Sequence, residues 1–122
     1  MLKEVKVVKV MQVQPRSLVE KGPQVRRAIT GWREGSDRLM LGYSITEPFG
    51  SELTWKYEKE DEVYYMISGE KTLWWEAPDG RTGVSIIRAG DAAYLPAGFR
   101  FRSINSGKEP YHLVYAITPP LE

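Results

Sequence analysis

Glu62 is the residue of this sequence best suited to chemistry, because aromatic residues surround it along the chain. Trp55 and Tyr57 alternate with charged residues ahead of it, and Tyr64 follows two positions later. A period of two places such residues on one face of a strand. A carboxylate buried among aromatic rings is costly to ionise, so its pKa rises. The pattern predicts a general acid or base, and an inert, hydrogen-bonded carboxylate is the alternative.

Tyr57 and Arg27 are further candidates for contact with a ligand. The Tyr57 phenol could donate a hydrogen bond to a substrate carbonyl, and simple core packing is the alternative. Arg27, like Arg100 and Arg102, could pair with an acidic ligand at a pocket mouth, and a solvated surface charge is the alternative. His112 is the single histidine. It alternates with an apolar face in its strand, so we expect it to point away from the pocket.

The composition predicts one domain over residues 1–122. Hydrophobic residues make up 42% of the chain, which is typical of a globular protein. The 17 Lys and Arg residues nearly balance the 16 Asp and Glu residues, so we expect neither a nucleic-acid partner nor a membrane partner. The absence of cysteine excludes thiolate chemistry and favours the cytoplasm. No run approaches the ~20 apolar residues of a membrane span, so we expect a soluble protein.

Short strands separated by turn residues run through the chain, and almost no helical periodicity is present. A helical turn is expected only within residues 16–24, and residues 31–37 form a polar loop. Regularly spaced short strands predict an all-β sandwich or barrel. The predicted strands are Val5–Val10, Val25–Ile29, Leu39–Ile45, Leu53–Tyr57, Val63–Ile67, Lys71–Glu76, Val84–Arg88, Ala92–Leu95, Phe99–Ile104 and His112–Ile117.

Two motifs with fixed spacing indicate a more specific fold. In the first, Glu62 is followed after six residues by Gly69. In the second, Gly90 is followed at fixed intervals by Pro96-Ala97-Gly98, Phe101 and Asn105. Together they resemble the two signature motifs of the cupin family, and the resemblance covers residues 40–118. It implies a double-stranded β-helix, that is, a jelly-roll barrel.

The metal ligands of the cupin family are largely replaced in this sequence. The family's first motif carries two histidines ahead of the glutamate, where this chain has Trp55 and Tyr57 (or Lys56 and Glu58 in a shorter register), and its second carries one, where this chain has Phe101. Of the usual three-histidine, one-glutamate site only Glu62 remains. A lone carboxylate does not make an iron or zinc site, so no cofactor is expected and dioxygenase chemistry is disfavoured.

Further stretches are similar to one cupin branch, the ectoine synthases, which close a ring by dehydrating an acylated diamino acid. That family holds a catalytic metal with a glutamate, a tyrosine and a histidine. By position these fall on Glu62, on Ala93 (one residue short of Tyr94) and on Phe101. A divalent metal held by Glu62 and Tyr94 would require the strand to slip by one residue. The similar stretches are Gly50 and Glu52, Tyr57, Glu62–Gly69, Gly90-Asp91 and residues 112–119.

These observations together predict a small-molecule-binding cupin that runs a redox-neutral lyase, cyclase or isomerase reaction. Glu62 and Tyr57 are the predicted catalytic residues, and Tyr57 also matches a substrate-pocket tyrosine of the ectoine synthases. A non-catalytic ligand-binding cupin and a metal-dependent, ectoine synthase-like cupin with atypical ligands are the alternatives. The predicted pocket is lined by Trp55, Tyr64, Phe101, Arg27 and Ile117.

Cupins commonly pair through shared edge strands, and exposed edges need covering. We therefore expect a homodimer in which the N-terminal strand, residues 5–10, crosses to the partner.

Overall fold

The computed structural model describes residues 3–50 and 52–122, and antiparallel strands make up most of its regular secondary structure. One four-residue helix, α1 (Gly31–Glu34), and one 3-10 turn (Val10–Gln12) are the helical elements of these residues. The strands are β1 (Arg16–Ser17), β2 (Gln24–Ile29), β3 (Met40–Thr46), β4 (Leu53–Lys56), β5 (Asp61–Ser68), β6 (Glu70–Glu76), β7 (Thr82–Arg88), β8 (Ala92–Leu95), β9 (Arg100–Asn105) and β10 (Tyr111–Thr118).

The strands form two sheets that enclose a single core. The larger sheet has the order β1-β2-β3-β10-β5-β8, and the smaller has the order β4-β9-β6-β7. Inward residues of both sheets, such as Tyr115 of β10 and Leu73 of β6, belong to one buried cluster. Non-consecutive strands are neighbours within each sheet, as in a jelly roll. The expected all-β jelly-roll fold is confirmed.

Alternating burial along the strands sets which residues face the interior. In β10 the odd-numbered residues from Tyr111 to Ile117 are buried, and the even-numbered ones are more exposed. In β5, Glu62, Tyr64 and Met66 are buried between exposed neighbours. The functional side chains of β5 and β10 therefore point into the space between the two sheets.

Gly69 connects β5 of the larger sheet to β6 of the smaller one. Its φ of 89° lies in the left-handed region, and a Cβ at this position would come within 2.6 Å of Tyr111 Cβ. Only glycine satisfies both conditions. The turn lets the chain change sheets between Glu62 and Lys71, so the two residues end on opposite walls of the barrel.

Three sequence expectations differ from the structure near the N-terminus. The strand expected at residues 5–10 is not formed, because no strand among the described residues pairs with this segment, and Val10–Gln12 form a 3-10 turn. The helical turn expected within residues 16–24 is β1 followed by a hydrogen-bonded turn. The expected polar loop at residues 31–37 begins with α1, which the hydroxyl of Thr30 caps by accepting from Arg33 N.

Among the described residues no helix is long and apolar enough to cross a membrane.

Gly42 of β3 lies against the Tyr115 ring, and a larger residue at this position tests how tightly the two pack. A Cβ at Gly42 would come within 2.1 Å of the Tyr115 ring, which projects from the neighbouring strand. We expect Gly42→Ala to lower the free energy of unfolding by about 1–3 kcal/mol, because overpacking displaces the ring. Gly107→Ala is the matched control, since its Cβ would meet nothing closer than 3.4 Å. Urea unfolding measures both variants, and equal losses would contradict this packing.

Candidate functional site

A cavity of about 50 Å³ lies between the two sheets, and polar side chains from several strands converge on it. Glu62 comes from β5, Lys71 from β6 and Arg27 from β2, while Tyr57 follows β4. The cavity is lined by Leu18, Pro23, Val25, Arg27, Ser44, Leu53, Trp55, Tyr57, Glu62, Tyr64, Lys71, Ser103, Tyr111, Leu113 and Tyr115. Two basic side chains, Arg27 and Lys71, and one acidic side chain, Glu62, therefore share one small interior space.

Glu62 is buried, with 8% of its surface exposed. Its Oε1 has no hydrogen-bond partner among the described residues. Burial raises the pKa of Glu62 to about 7, although Lys71, the Trp55 indole and Arg27 each pull it down. Burial is the dominant cause because it penalises the ionised form. At neutral pH the carboxyl group is thus poised to give or to take a proton.

Lys71 is more deeply buried than Glu62, with 4% of its surface exposed. Three rings surround its ammonium group: the distances from Nζ to the ring centroids are 4.7 Å for Tyr64, 5.2 Å for Tyr111 and 5.6 Å for Trp55. Burial alone would lower the pKa of Lys71, but Tyr111, Tyr64 and Glu62 raise it above its ordinary value. Lys71 is therefore a fixed positive charge inside the barrel.

Arg27 brings a second positive charge to the cavity and is 9% exposed. Its guanidinium carbon lies 5.7 Å from the centroid of the Tyr115 ring. Its Nε lies 3.7 Å from Glu122 Oε1, beyond hydrogen-bond length, and has no hydrogen-bond partner among the described residues. The same Glu122 oxygen accepts a 2.7 Å hydrogen bond from Arg16. Arg27 is thus incompletely paired by the protein.

Three tyrosines of the cavity, Tyr57, Tyr64 and Tyr115, keep their protons over the physiological pH range. Burial and the nearby Glu62 charge raise the pKa of Tyr57, although Arg27 opposes them. Burial likewise raises the pKa of Tyr115 to about 12 and raises that of Tyr64. The hydroxyls of Tyr64 and Tyr115 have no hydrogen-bond partner among the described residues. Buried polar groups are normally satisfied, so the cavity is suited to waters or to a polar ligand.

The structure places three of the five predicted pocket residues on the cavity: Trp55, Tyr64 and Arg27. Phe101 and Ile117 belong instead to the core, and neither lines the cavity. Phe101 packs against Trp55, with 5.3 Å between ring centroids. Both side chains face inward as alternation requires, but neither reaches the cavity that Glu62 and Lys71 line.

Lys71, Tyr111 and Tyr115 line the cavity, and none of them was assigned to the pocket from the sequence. Alternation along β6 would have found Lys71, because it shares a face with Leu73 and Trp75, whose apolar side chains belong inside. Lysine is rarely buried, however, so a lysine at an inward position of a strand is usually predicted to lie at the surface.

Other candidates lie outside the cavity. Tyr94 is 64% exposed on β8, and its partner across the sheet is the exposed Val63. His112 points away from the interior, as expected, and forms a hydrogen bond with the Tyr43 hydroxyl. Arg100 and Arg102 are on the outer face of the smaller sheet, where each pairs with a glutamate.

The resemblance to the cupin family implies a metal, and the donors in this barrel do not fit one. Among residues 3–50 and 52–122 no group of three or more His, Cys, Asp and Glu side chains is placed to hold an ion. Glu62 is the one carboxylate lining the cavity, and Lys71 and Arg27 oppose a divalent cation there. Tyr94, the second candidate ligand, projects from the other face of the sheet. The ectoine synthase-like ligand set is therefore not assembled.

Comparison with known proteins supports the fold. The EutQ-like cupin domain matches residues 43–112 of this chain. No curated protein matches this chain by sequence.

Solved structures are similar over most of the chain. A predicted oxalate decarboxylase from Thermotoga maritima is 19% identical with a TM-score of 0.73, over 93% of this chain and 99% of that one. KdgF from a Halomonas species is 14% identical with a TM-score of 0.76, over 98% and 97%. A chain of the Drosophila melanogaster complex of CENP-C bound to CAL1 is 16% identical with a TM-score of 0.72, over 88% and 83%. At these identities the likeness shows the fold alone.

The raised pKa of Glu62 makes stability depend on pH. The folded state holds this proton up to a pH of about 7, whereas an unfolded glutamate releases it near 4.5, so ionisation destabilises the fold as pH rises between these values. One unit of pKa corresponds to about 1.4 kcal/mol, so this loss is on the order of 3 kcal/mol. The Glu62→Gln variant cannot ionise at this position. We therefore expect its free energy of unfolding, relative to that of the wild type, to increase by this amount from pH 4.5 to pH 8.

Urea unfolding at several pH values measures this difference. Glu58→Gln is the control, because it makes the same substitution at a glutamate that lies in an exposed turn and does not line the cavity. A Glu62→Gln difference that stays constant with pH would contradict the raised pKa.

Proposed function

Because this chain belongs to the EutQ-like cupin domain family, we propose that it binds a small molecule inside its barrel and moves a proton through Glu62. The observation that carries this proposal is an unpaired carboxylate oxygen in a cavity, on a group whose pKa is about 7. A catalytic acid or base works best when its pKa lies near the working pH. The reaction class is redox-neutral: a lyase, cyclase or isomerase.

Glu62 and Tyr57 have complementary roles in this proposal. At neutral pH Glu62 is partly ionised, so the ionised form can remove a proton from carbon or oxygen and the neutral form can return one. Tyr57 keeps its proton, because its pKa is raised, and can donate a hydrogen bond to a substrate carbonyl. Trp55, which also lines the cavity, supplies an apolar wall that limits water.

The second candidate function is a binding module without chemistry. The observation that favours it is the replacement of the cupin histidines by Trp55, Tyr57 and Phe101. In this account Glu62 is an inherited group that only shapes the ligand site. The two candidates differ in what happens to a bound ligand: one exchanges its protons and the other returns it unchanged.

Deuterium exchange separates the two candidates. Thermal-shift screening of small metabolites identifies a stabilising ligand, which is then incubated with the protein in D₂O. We expect NMR to show loss of an acidic C–H signal with the wild type, and no exchange above background with Glu62→Gln. Tyr57→Phe should slow the exchange by about 10²-fold or more, because one donor to the developing charge is removed.

Glu58→Gln is the matched control for this experiment and should exchange at the wild-type rate. A ligand that is recovered fully protonated from the wild type, or equal exchange by Glu62→Gln, would refute the catalytic role.

We further propose that the chain forms a homodimer through its N-terminal segment. Val5 and Val7 are 93% and 90% exposed in a segment that pairs with no strand in the described part of the chain. The outer face of the larger sheet also exposes apolar side chains, among them Val63 and Ile67 of β5. Apolar residues at alternate positions of an extended segment suit addition to the edge of a partner's sheet.

Light scattering after gel filtration tests this dimer. We expect twice the mass of the chain at micromolar concentration, and we expect Val5→Lys combined with Val7→Lys to yield the monomer. Lys6→Ala is the control and should leave the dimer intact. A monomeric wild type would refute the proposal.

A further inference from the structure

Lys71 is a buried charge that no carboxylate among the described residues contacts directly. The described residues form nine ion pairs within 4.0 Å, and none includes Lys71. A buried charge without a partner is costly, and an unpaired ammonium would ordinarily lose its proton. The surrounding rings and the partly ionised Glu62 instead keep Lys71 charged.

We propose that Lys71 and Arg27 form an anion site that holds the carboxylate of a small monocarboxylate inside the barrel. Both cations line the same cavity, and among the residues that the structure describes Glu62 is the one carboxylate that lines it. The inference deepens the proposed function, since it names the substrate class of the same cavity. It does not require Glu62 to be catalytic.

The unpaired hydrogen-bonding groups of the cavity match a carboxylate. Arg27 Nε and the hydroxyls of Tyr64 and Tyr115 are donors without partners among the described residues. A carboxylate only accepts hydrogen bonds and has about four acceptor positions. Hydrogen bonds from cations and hydroxyls to a carboxylate are also stronger than those to a neutral group. A carboxylate would therefore satisfy several of these donors at once.

The cavity limits the size of the ligand. The cavity has a volume of about 50 Å³, against the ~10–15 Å³ that one buried water needs. This small volume favours a ligand of a few non-hydrogen atoms, such as acetate, over longer acids. Lys71 and Arg27 are the binding residues of this site.

Titration calorimetry with acetate, and with acetamide as its neutral isostere, tests the anion site. We expect the wild type to bind acetate with a Kd of about 0.1–10 mM, since so small a ligand cannot bind much more tightly. Acetamide should bind at least about tenfold more weakly, because it carries no charge for Lys71 and Arg27. This comparison uses the unmodified protein, so it does not depend on whether any variant folds.

Variants then assign the site to its residues. Lys71→Met should weaken acetate binding by at least about tenfold, and Lys71→Arg, which keeps the charge, should retain part of it. Lys56→Met is the matched control, because Lys56 is partly exposed on β4 and does not line the cavity. Butyrate should bind more weakly than acetate because of its length.

The result separates this inference from the proposed function. Glu62→Gln should still bind acetate, although it is expected to lose proton exchange, so binding and chemistry can fail independently. Equal affinity of the wild type for acetate and acetamide would overturn the anion site. Unchanged acetate binding by folded Lys71→Met would overturn the role of Lys71, and absence of acetate binding by the wild type would overturn the inference as a whole.

Discussion

Burial of opposite charges in one small cavity is the constraint on which the site depends. Glu62 and Lys71 lie on opposite sheets, both are buried, and they do not form an ion pair within 4.0 Å. The charge of each residue is therefore only partly neutralised. Burial raises the pKa of Glu62, and the ammonium group of Lys71 is stabilised by the Tyr64, Tyr111 and Trp55 rings. Buried charges that the protein leaves unsatisfied are typical of sites that a ligand completes.

The fold maintains this arrangement through packing that has no direct part in the chemistry. Gly69 changes the chain from one sheet to the other between the two charged residues. The Tyr115 ring crosses the face of β3 at Gly42, where no larger residue fits, and so reaches the cavity beside Arg27. The charged groups therefore sit on rigid strands instead of mobile loops, which favours a fixed binding geometry.

The sequence predicts the architecture well, because alternation and turn residues are local signals. Ala92–Leu95 was predicted with the observed bounds, and most of the other strands differ from prediction by one or two residues. The inward positions of Trp55, Tyr57, Glu62 and Tyr64 also follow from alternation.

Other features depend on contacts between distant strands, which local patterns do not encode. Alternation predicts that Phe101 faces inward, but it does not predict whether an inward side chain lines the cavity or packs in the core. Phe101 packs against Trp55 and does not line the cavity. The cage around Lys71 is another, since its rings come from β4, β5 and β10. Val5 and Val7 show a third limit. Their alternating pattern is typical of a strand, but a strand needs a neighbour to pair with, and no strand among the described residues pairs with this segment.

The central claim is that burial holds the carboxyl group of Glu62 at a pKa suited to proton transfer. The most direct measurement is an NMR titration of the ¹³C-labelled carboxyl carbons of the glutamates, with the Glu62 signal assigned by its loss in Glu62→Gln. The account predicts a titration midpoint near pH 7 for this signal. A midpoint near the ordinary glutamate value of 4.5 would contradict it.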